Sequence, residues 1–132
     1  MRLLLDAHVL LWIIYSPSDL TRRVRDLLAD QSNELVVSHA TLCELLNKIG
    51  RGKLLLAGTS VAKTMDLIRA LDVTFLPVDE SLILAAASLP HHHSDPFDRL
   101  LIAQAIAENV TVLSADNKFS FYPIELIWQQ RR

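Results

Sequence analysis

The sequence predicts an α/β fold, a three-layer sandwich in which helices cover both faces of a central, mainly parallel sheet. Short apolar runs, typical of buried strands, alternate along the chain with amphipathic stretches of helical period. Hydrophobic residues make up 51% of the 132 positions, and only three glycines and five prolines occur, as expected for one packed domain over residues 1–132. Strands that alternate with helices favour parallel pairing.

The predicted strands are the short apolar runs, two of which end at residues of interest. The first, Leu3 to Leu5, ends at Asp6. The fourth, at residues 110–113, ends just before Ser114. The other predicted strands lie at residues 34–37, 73–78 and 124–128.

The predicted helices are recognised by their capping residues and apolar stripes. Ser38 is a favoured N-cap residue, and the helix after it ends at Gly50. Its apolar positions recur with helical spacing at Leu42, Leu45, Leu46 and Ile49. Asp95 caps a later helix, with Pro96 at its first position. The remaining predicted helices cover residues 8–15, 19–30, 61–71 and 82–89.

Charge and composition limit the classes of protein. A net charge of −2 excludes a basic protein that wraps nucleic acid, so any such contact requires a local patch. The apolar run after Met1 and Arg2 is too short for a signal peptide or a membrane span, which predicts a cytoplasmic protein with no membrane contact. The basic residues cluster in two groups: Arg22, Arg23 and Arg25, and Lys48, Arg51 and Lys53.

The chain contains one cysteine, Cys43. A lone cysteine rules out an internal disulfide and a cysteine-rich zinc site. Because Cys43 lies within an apolar helical pattern, we expect a small residue of the core without a catalytic role.

Asp6 and Asp116 each follow a predicted strand. Taken singly, Asp6 is explained as a helix N-cap and Asp116 as a turn residue. Both nevertheless belong at the carboxyl edge of a parallel sheet, which is where ligands bind in such folds.

Asp98 is the acid that helix periodicity explains least well. Asp95 is accounted for as the N-cap of its helix, and it can also pair with Arg99. Asp98 shares a helix face with Leu101 and Ile102, so we expect its carboxylate to be at least half buried. A buried carboxylate requires a cation, hydrogen-bond donors or a raised pKa.

Acids gathered at one sheet edge repel each other unless a cation lies among them. Oxygen ligands without a set of Cys or His favour Mg²⁺ or Mn²⁺ over Zn²⁺, and such an ion suits phosphoryl chemistry. Three adjacent histidines, residues 91–93, seldom converge on one ion. They are predicted to form a solvated loop, with His93 nearest the acids.

Four segments resemble one family, in that family's order. They are LLLDAHVLLW at residues 3–12, VVSHATLCELLNKIGRGKL at 36–54, HSDPFDRLLIAQA at 93–105 and VTVLSADNKF at 110–119. The sequence is similar to PIN-domain nucleases, and within them to the VapC-type toxins of bacterial toxin–antitoxin pairs. The similarity extends over nearly the whole chain. Its specific part is the first segment combined with DPFDRLLIAQA at this distance.

The resemblance implies a PIN-like fold and four acids around Mg²⁺ or Mn²⁺. The matching acids are Asp6, Glu44, Asp98 and Asp116. Periodicity alone interprets Glu44 differently, as a surface residue opposite the apolar stripe that pairs with Lys48. The matching auxiliary positions are Asp95, which is acidic in only part of the family, and the hydroxyl residues Ser38 and Ser114. Cys43 stands where many members carry Trp.

The implied activity is that of a metal-dependent endoribonuclease toxin in which a metal-activated water attacks an RNA phosphodiester. Asp6, Glu44 and Asp98 would hold the metal, and Asp116 would hold or orient a second ion or the water. The implied partners are RNA, a cognate antitoxin and a second subunit. Candidates for contacting RNA phosphates are Arg99, Lys48, Arg51 and Lys53, although each taken singly is also explained as solvated surface.

Two alternative functions, from other classes of protein, also fit the sequence. A signalling receiver domain has a similar length and an Asp at a strand end, and Lys118 after Asp116 fits it. Against it, the first strand ends in one acid where a receiver has a pair, and no strand near mid-chain ends in an acceptor Asp. The other reading is a non-catalytic binding module, in which the acids can be replaced without loss of function.

Overall fold

The computed structural model describes residues 1–52 and 58–129. Its centre is a sheet whose strand pairings are all parallel, in the order β3-β2-β1-β4-β5. The predicted α/β class with a parallel sheet is confirmed. The strands are β1 (Arg2–Leu5), β2 (Glu34–Ser38), β3 (Thr74–Leu76), β4 (Thr111–Ser114) and β5 (Leu126–Trp128).

The helices follow the predicted order, with small changes at their ends. They are α1 (Ala7–Tyr15), α2 (Arg22–Ala29), α3 (His39–Gly50), α4 (Val61–Arg69), α5 (Glu80–Ala87) and α6 (Pro96–Glu108). The helix predicted from residue 19 begins at Arg22, because Pro17–Asp19 forms a separate 3-10 turn and Thr21 caps α2 by accepting the Val24 N–H. A second 3-10 turn spans Asn117–Phe121.

The inner strands β1, β2 and β4 are mostly buried because helices cover each side of the sheet. Leu3 and Leu5 pack into a cluster with residues of α1 to α4. Leu4, which points the opposite way, packs with Leu101 and Ile102 of α6. This arrangement is the predicted three-layer sandwich. Within residues 1–52 and 58–129, none of the helices has the length and apolar character that a membrane span requires.

The strand order separates the fold from that of a receiver domain. Receivers have the order 2-1-3-4-5, in which β1 lies between β2 and β3. Here β1 lies between β2 and β4. The chain therefore turns to opposite sides of the sheet after β1 and β4, which opens a crevice at the carboxyl ends of these two strands.

The prediction that Cys43 is a core residue is wrong, since its side chain is exposed. The buried face of α3 is formed by residues such as Leu45 and Ile49. Cys43 lies off that face, and its sulfur is 3.5 Å from Nδ2 of the exposed Asn47.

Candidate functional site

Asp6 and Ser114 meet where β1 and β4 end side by side. Asp6 caps α1, and its Oδ1 accepts the Val9 N–H at 2.8 Å. Its Oδ2 accepts a hydrogen bond from the hydroxyl of Ser114. Both residues are almost fully buried. A side-chain hydrogen bond thus joins the two strand ends directly.

Asp116 lies next to this pair, two residues beyond the end of β4. Its backbone N–H donates to Ser114 Oγ at 3.0 Å, and its Oδ1 accepts the Lys118 N–H at 2.9 Å. Its Oδ2 is free of these local contacts and faces Nε2 of His93 at 2.8 Å.

The first turn of α6 carries two acids in different roles. Asp95 is the N-cap, as predicted, and its Oδ1 accepts the N–H groups of Phe97 and Asp98 at 2.8 and 3.2 Å. The Asp98 side chain is 19% exposed, and its Oδ2 lies 3.1 Å from His93 Nε2. Asp98 therefore faces the other acids while Asp95 serves its helix.

Glu44 is buried, which corrects the surface position expected from periodicity. The stripe marks the face that packs on the sheet, but α3 also packs against α6. The predicted pair with Lys48 exists, with Nζ 2.9 Å from Oε2. Glu44 thus has one cationic partner at the edge of the site.

His93 was not among the predicted site residues, but the prediction that it lies nearest the acids is confirmed. The predicted solvated loop holds for His91 and His92, which are exposed, and is wrong for the buried ring of His93. Ligating atoms of His93, Asp98 and Asp116 lie within 4.8 Å of one another. The signal in the sequence was its position two residues before Asp95, which placed it nearest the acids.

The pKa values of Asp98 and Asp6 show that the acids affect one another. Burial, together with smaller contributions from the negative charges of Asp95, Glu44, Asp6 and Asp116, raises the pKa of Asp98 to about 8. Burial also raises the pKa of Asp6, with an added contribution from Glu44 that the hydrogen bonds from Ser114 and Val9 only partly offset. Asp6, Glu44 and Asp116 therefore all lie within electrostatic reach of Asp98.

Asp116 differs from its neighbours because its pKa is lowered. Partial burial acts to raise this pKa, but hydrogen bonds from the Lys118 N–H and the His93 ring outweigh it. Asp116 and Asp98 thus have opposite shifts while sharing one histidine partner.

The prediction that Arg99 contacts RNA is wrong for a physical reason. Its guanidinium is buried and turned away from solvent, and Nη1 donates to the carbonyl oxygens of Pro90 and His93 at 3.0 and 3.1 Å. Nη2 donates to those of Ala86 and Leu89 at 2.7 and 2.8 Å. Arg99 is a clamp on the segment between α5 and α6, which carries His93.

The other basic and hydroxyl candidates differ from Arg99 in their exposure and contacts. Lys48 is partly exposed and bound to Glu44, and Arg51 is exposed after the end of α3. Lys53 lies outside the described residues. Ser38 is buried and caps α3 by accepting the Ala40 N–H at 3.0 Å.

The donor set fits a hard divalent cation. Mg²⁺ and Mn²⁺ prefer carboxylate oxygens, and a cation would favour the ionised form of Asp98 against burial and its acidic neighbours. The buried hydroxyl oxygen of Thr41, one turn before Glu44 on α3, has no hydrogen-bond partner among the residues that the structure describes. A bound water would satisfy such a group.

Comparisons with known proteins agree on one fold. A family model described as PIN domain matches residues 3–124. The VapBC2 complex from Rickettsia felis, bound to a promoter DNA fragment, aligns with a TM-score of 0.71 and 19% identity over 98% of this chain and 100% of that chain. DNA-bound VapBC from Salmonella typhimurium gives 0.71 and 14%, over 96% and 97%.

A third solved structure is VapC20 from Mycobacterium tuberculosis, described as a sarcin–ricin loop cleaving toxin. It aligns with a TM-score of 0.61 and 13% identity over 92% of this chain and 95% of that chain. At these identities the likeness concerns the fold. No curated protein matches the sequence significantly.

Replacing Arg99 is expected to destabilise the protein. Arg99→Met should lower the free energy of unfolding by about 3 kcal/mol or more, because several buried carbonyl groups lose their donor. Arg99→Lys should also destabilise, since one ammonium group cannot reproduce the planar fork. Urea denaturation measures both, with Arg51→Met as the exposed control, expected within about 0.5 kcal/mol of wild type. Equal losses for positions 99 and 51 would contradict the clamp.

The metal-free protein is expected to lose stability as the pH rises between about 4 and about 8. The native state keeps a proton on Asp98, with its pKa near 8, that the unfolded chain releases near 3.8, so the native state binds more protons across this window. Asp98→Asn cannot titrate and should show a shallower decline, while Asp6, Glu44, Asp95, Asp116 and His93 remain in both proteins. Urea denaturation in EDTA at several pH values tests this, and parallel curves would refute the buried, raised carboxyl.

Proposed function

The chain belongs to the PIN-domain family, and on that premise we propose that it is a divalent-metal-dependent endoribonuclease. We further propose that it is the toxin of a toxin–antitoxin pair and that its nuclease domain comprises residues 1–132. Its cofactor would be Mg²⁺ or Mn²⁺, and its substrate RNA. Acting on cellular RNA under control of a protein partner, it would work in the cytoplasm.

The observation that carries the proposal is the environment of Asp98. This carboxylate is largely buried, and the charges of Asp6, Glu44, Asp95 and Asp116 all act against its ionisation. Across residues 1–52 and 58–129, no Lys or Arg forms an ion pair with it. A buried carboxylate among other acids costs folding free energy, so its presence indicates a functional site. A divalent cation at this position would make the ionised form favourable.

The four acids would share the work at this site. Asp6, Glu44 and Asp98 would hold the metal, and Asp116 would hold a second ion or orient the attacking water. A bound divalent ion supplies a Lewis acid that lowers the pKa of water and stabilises charge on a phosphate. Ser114 would fix the carboxylate of Asp6, while Asp95 and Ser38 would fix the starts of α6 and α3 through their caps. Lys48, Arg51 and Lys53 would contact RNA phosphates.

The relatives support the choice of substrate and partner. VapC20, similar in fold, is described as cleaving the sarcin–ricin loop, which is RNA. The Rickettsia and Salmonella structures are VapBC complexes bound to DNA, so a chain of this fold assembles there with a second protein. In this chain Trp12 and Ile13 of α1 pack on the core yet stay only half-buried, which leaves apolar surface for an antitoxin helix.

We expect the acids of α6 to differ sharply when replaced. Asp98→Asn should lower RNA cleavage more than about 100-fold, beyond the loss typical of groups that only support a metal ligand. Asp95→Asn should cost less than about tenfold, because an Asn oxygen still caps a helix. The measurement is cleavage of total RNA with Mg²⁺ or Mn²⁺ and mapping of the new 5′ ends.

Matched controls separate folding from chemistry in that experiment. Circular dichroism and melting should show both variants folded, and EDTA should abolish the wild-type activity. If Asp95→Asn were inactive while Asp98→Asn kept full activity, the roles assigned to these two acids would have to be exchanged. Full RNA cleavage by Asp6→Asn and by Asp98→Asn would contradict the four-acid site, whereas no cleavage by the wild type would leave the non-catalytic binding module.

We also propose that the protein is a homodimer, with α5 in the interface. Ile83 and Leu84 on α5 are 52% and 62% exposed, and Glu80 is the only charged residue of that helix. Adjacent exposed apolar side chains of this size mark contact surfaces, and self-association through one helix satisfies a twofold axis.

Charge placed on α5 should therefore produce a monomer. Leu84→Glu puts a carboxylate into the proposed interface, whereas Ile106→Glu puts one on an exposed apolar position of α6 and serves as control. Light scattering after size exclusion should give a dimer for wild type and Ile106→Glu and a monomer for Leu84→Glu. A monomeric wild-type protein at high concentration would refute the proposed homodimer.

A further inference from the structure

We infer that His93 is a positioning residue that holds Asp98 and Asp116 together by sharing one ring N–H between them, and that it is not itself a metal ligand. The inference deepens the proposed function, because it assumes that these two acids belong to the metal site.

The hydrogen bonds of the ring decide which nitrogen carries the proton. Nδ1 of His93 accepts the backbone N–H of Asp95 at 3.2 Å, so Nδ1 must present a lone pair. In a neutral imidazole the proton then lies on Nε2. A doubly protonated ring would place two N–H groups against each other at Nδ1 and break this bond.

Nε2 lies between the two carboxylates. It is 2.8 Å from Asp116 Oδ2 and 3.1 Å from Asp98 Oδ2, so one N–H donates to both oxygens. With a divalent ion bound, both carboxylates would be ionised and would only accept hydrogen bonds, and their ligand atoms, which lie within 4.8 Å of each other, would repel. A shared donor offsets part of that repulsion and sets the spacing of the pair.

Three contacts hold His93 in place, two through its main chain and one through its ring. The backbone N–H of His93 donates to Tyr122 Oη at 2.9 Å, and its carbonyl accepts from Arg99 Nη1 at 3.1 Å. Its ring packs edge-on against Phe119, with centroids 5.8 Å apart. The donor therefore occupies a preset position between α6 and the end of β4.

The consequence is a site that ligates through oxygen alone, although a histidine stands within it. With Nδ1 accepting and Nε2 donating, the ring offers no lone pair to an ion. Hydrogen-bonded support of ligating carboxylates commonly changes metal affinity by about 10–100-fold. Asp95 contributes twice, since its side chain caps α6 and its main chain selects the tautomer of His93.

The first test uses the metal-free wild-type protein. Long-range ¹H–¹⁵N NMR of the histidines should show His93 with its proton on Nε2. Pulsed EPR of added Mn²⁺ should then show no directly bound ¹⁴N. A proton on Nδ1, or a ¹⁴N coupling from a coordinated ring, would overturn the inference, and neither result depends on any variant folding.

The second test compares two substitutions by Mn²⁺ titration. His93→Gln keeps an N–H donor but no ring nitrogen, and its Mn²⁺ affinity should stay within about threefold of wild type. His93→Leu removes the donor, and its affinity should fall about 10–100-fold. Equal losses in both would indicate a lost ligand, and wild-type affinity in His93→Leu would refute the positioning role. If wild type binds no Mn²⁺, the proposed metal-dependent function fails, whereas the NMR result still decides the tautomer.

Discussion

Repulsion between carboxylates brought to one edge of the sheet is the constraint on which the rest of the structure depends. The parallel order of the strands places Asp6 and Asp116 beside each other, and α3 and α6 bring Glu44 and Asp98 against them. A polar side chain holds each of these charges. Ser114 binds Asp6, Lys48 binds Glu44, and His93 binds the remaining two.

Periodicity predicts those parts of the site that a single element determines. β1 and β4 were predicted from apolar runs that stop at polar residues, and Asp6 and Ser114 follow directly from where those runs stop. The buried face of Asp98 follows from its spacing to Leu101 and Ile102, both of which lie in the core. These features need only the period of a strand or a helix.

Features that depend on two elements could not be predicted in this way. The apolar period of α3 marks only one buried face of that helix, so it places Glu44 on the surface. In the structure α6 covers a second face, and Glu44 is buried. The resemblance to a family, rather than the helix pattern, identified that residue. Arg99 and His93 depend on the path of the segment between α5 and α6, which has no period. A buried guanidinium that serves main-chain carbonyls leaves no mark in the sequence apart from the arginine itself.

The hydrogen bond between Asp6 and Ser114 also bears on when the site comes into existence. Its two residues are 108 positions apart, and the strands that carry them are neighbours in the sheet. A ribosome adds about 5–20 residues per second, so several seconds separate the synthesis of the first acid from that of its partner. An unfinished chain that stops short of β4 contains Asp6 but cannot form the site. For the toxin proposed here, a nascent chain would be harmless until β4 pairs with β1, which leaves an antitoxin time to meet the protein as it folds.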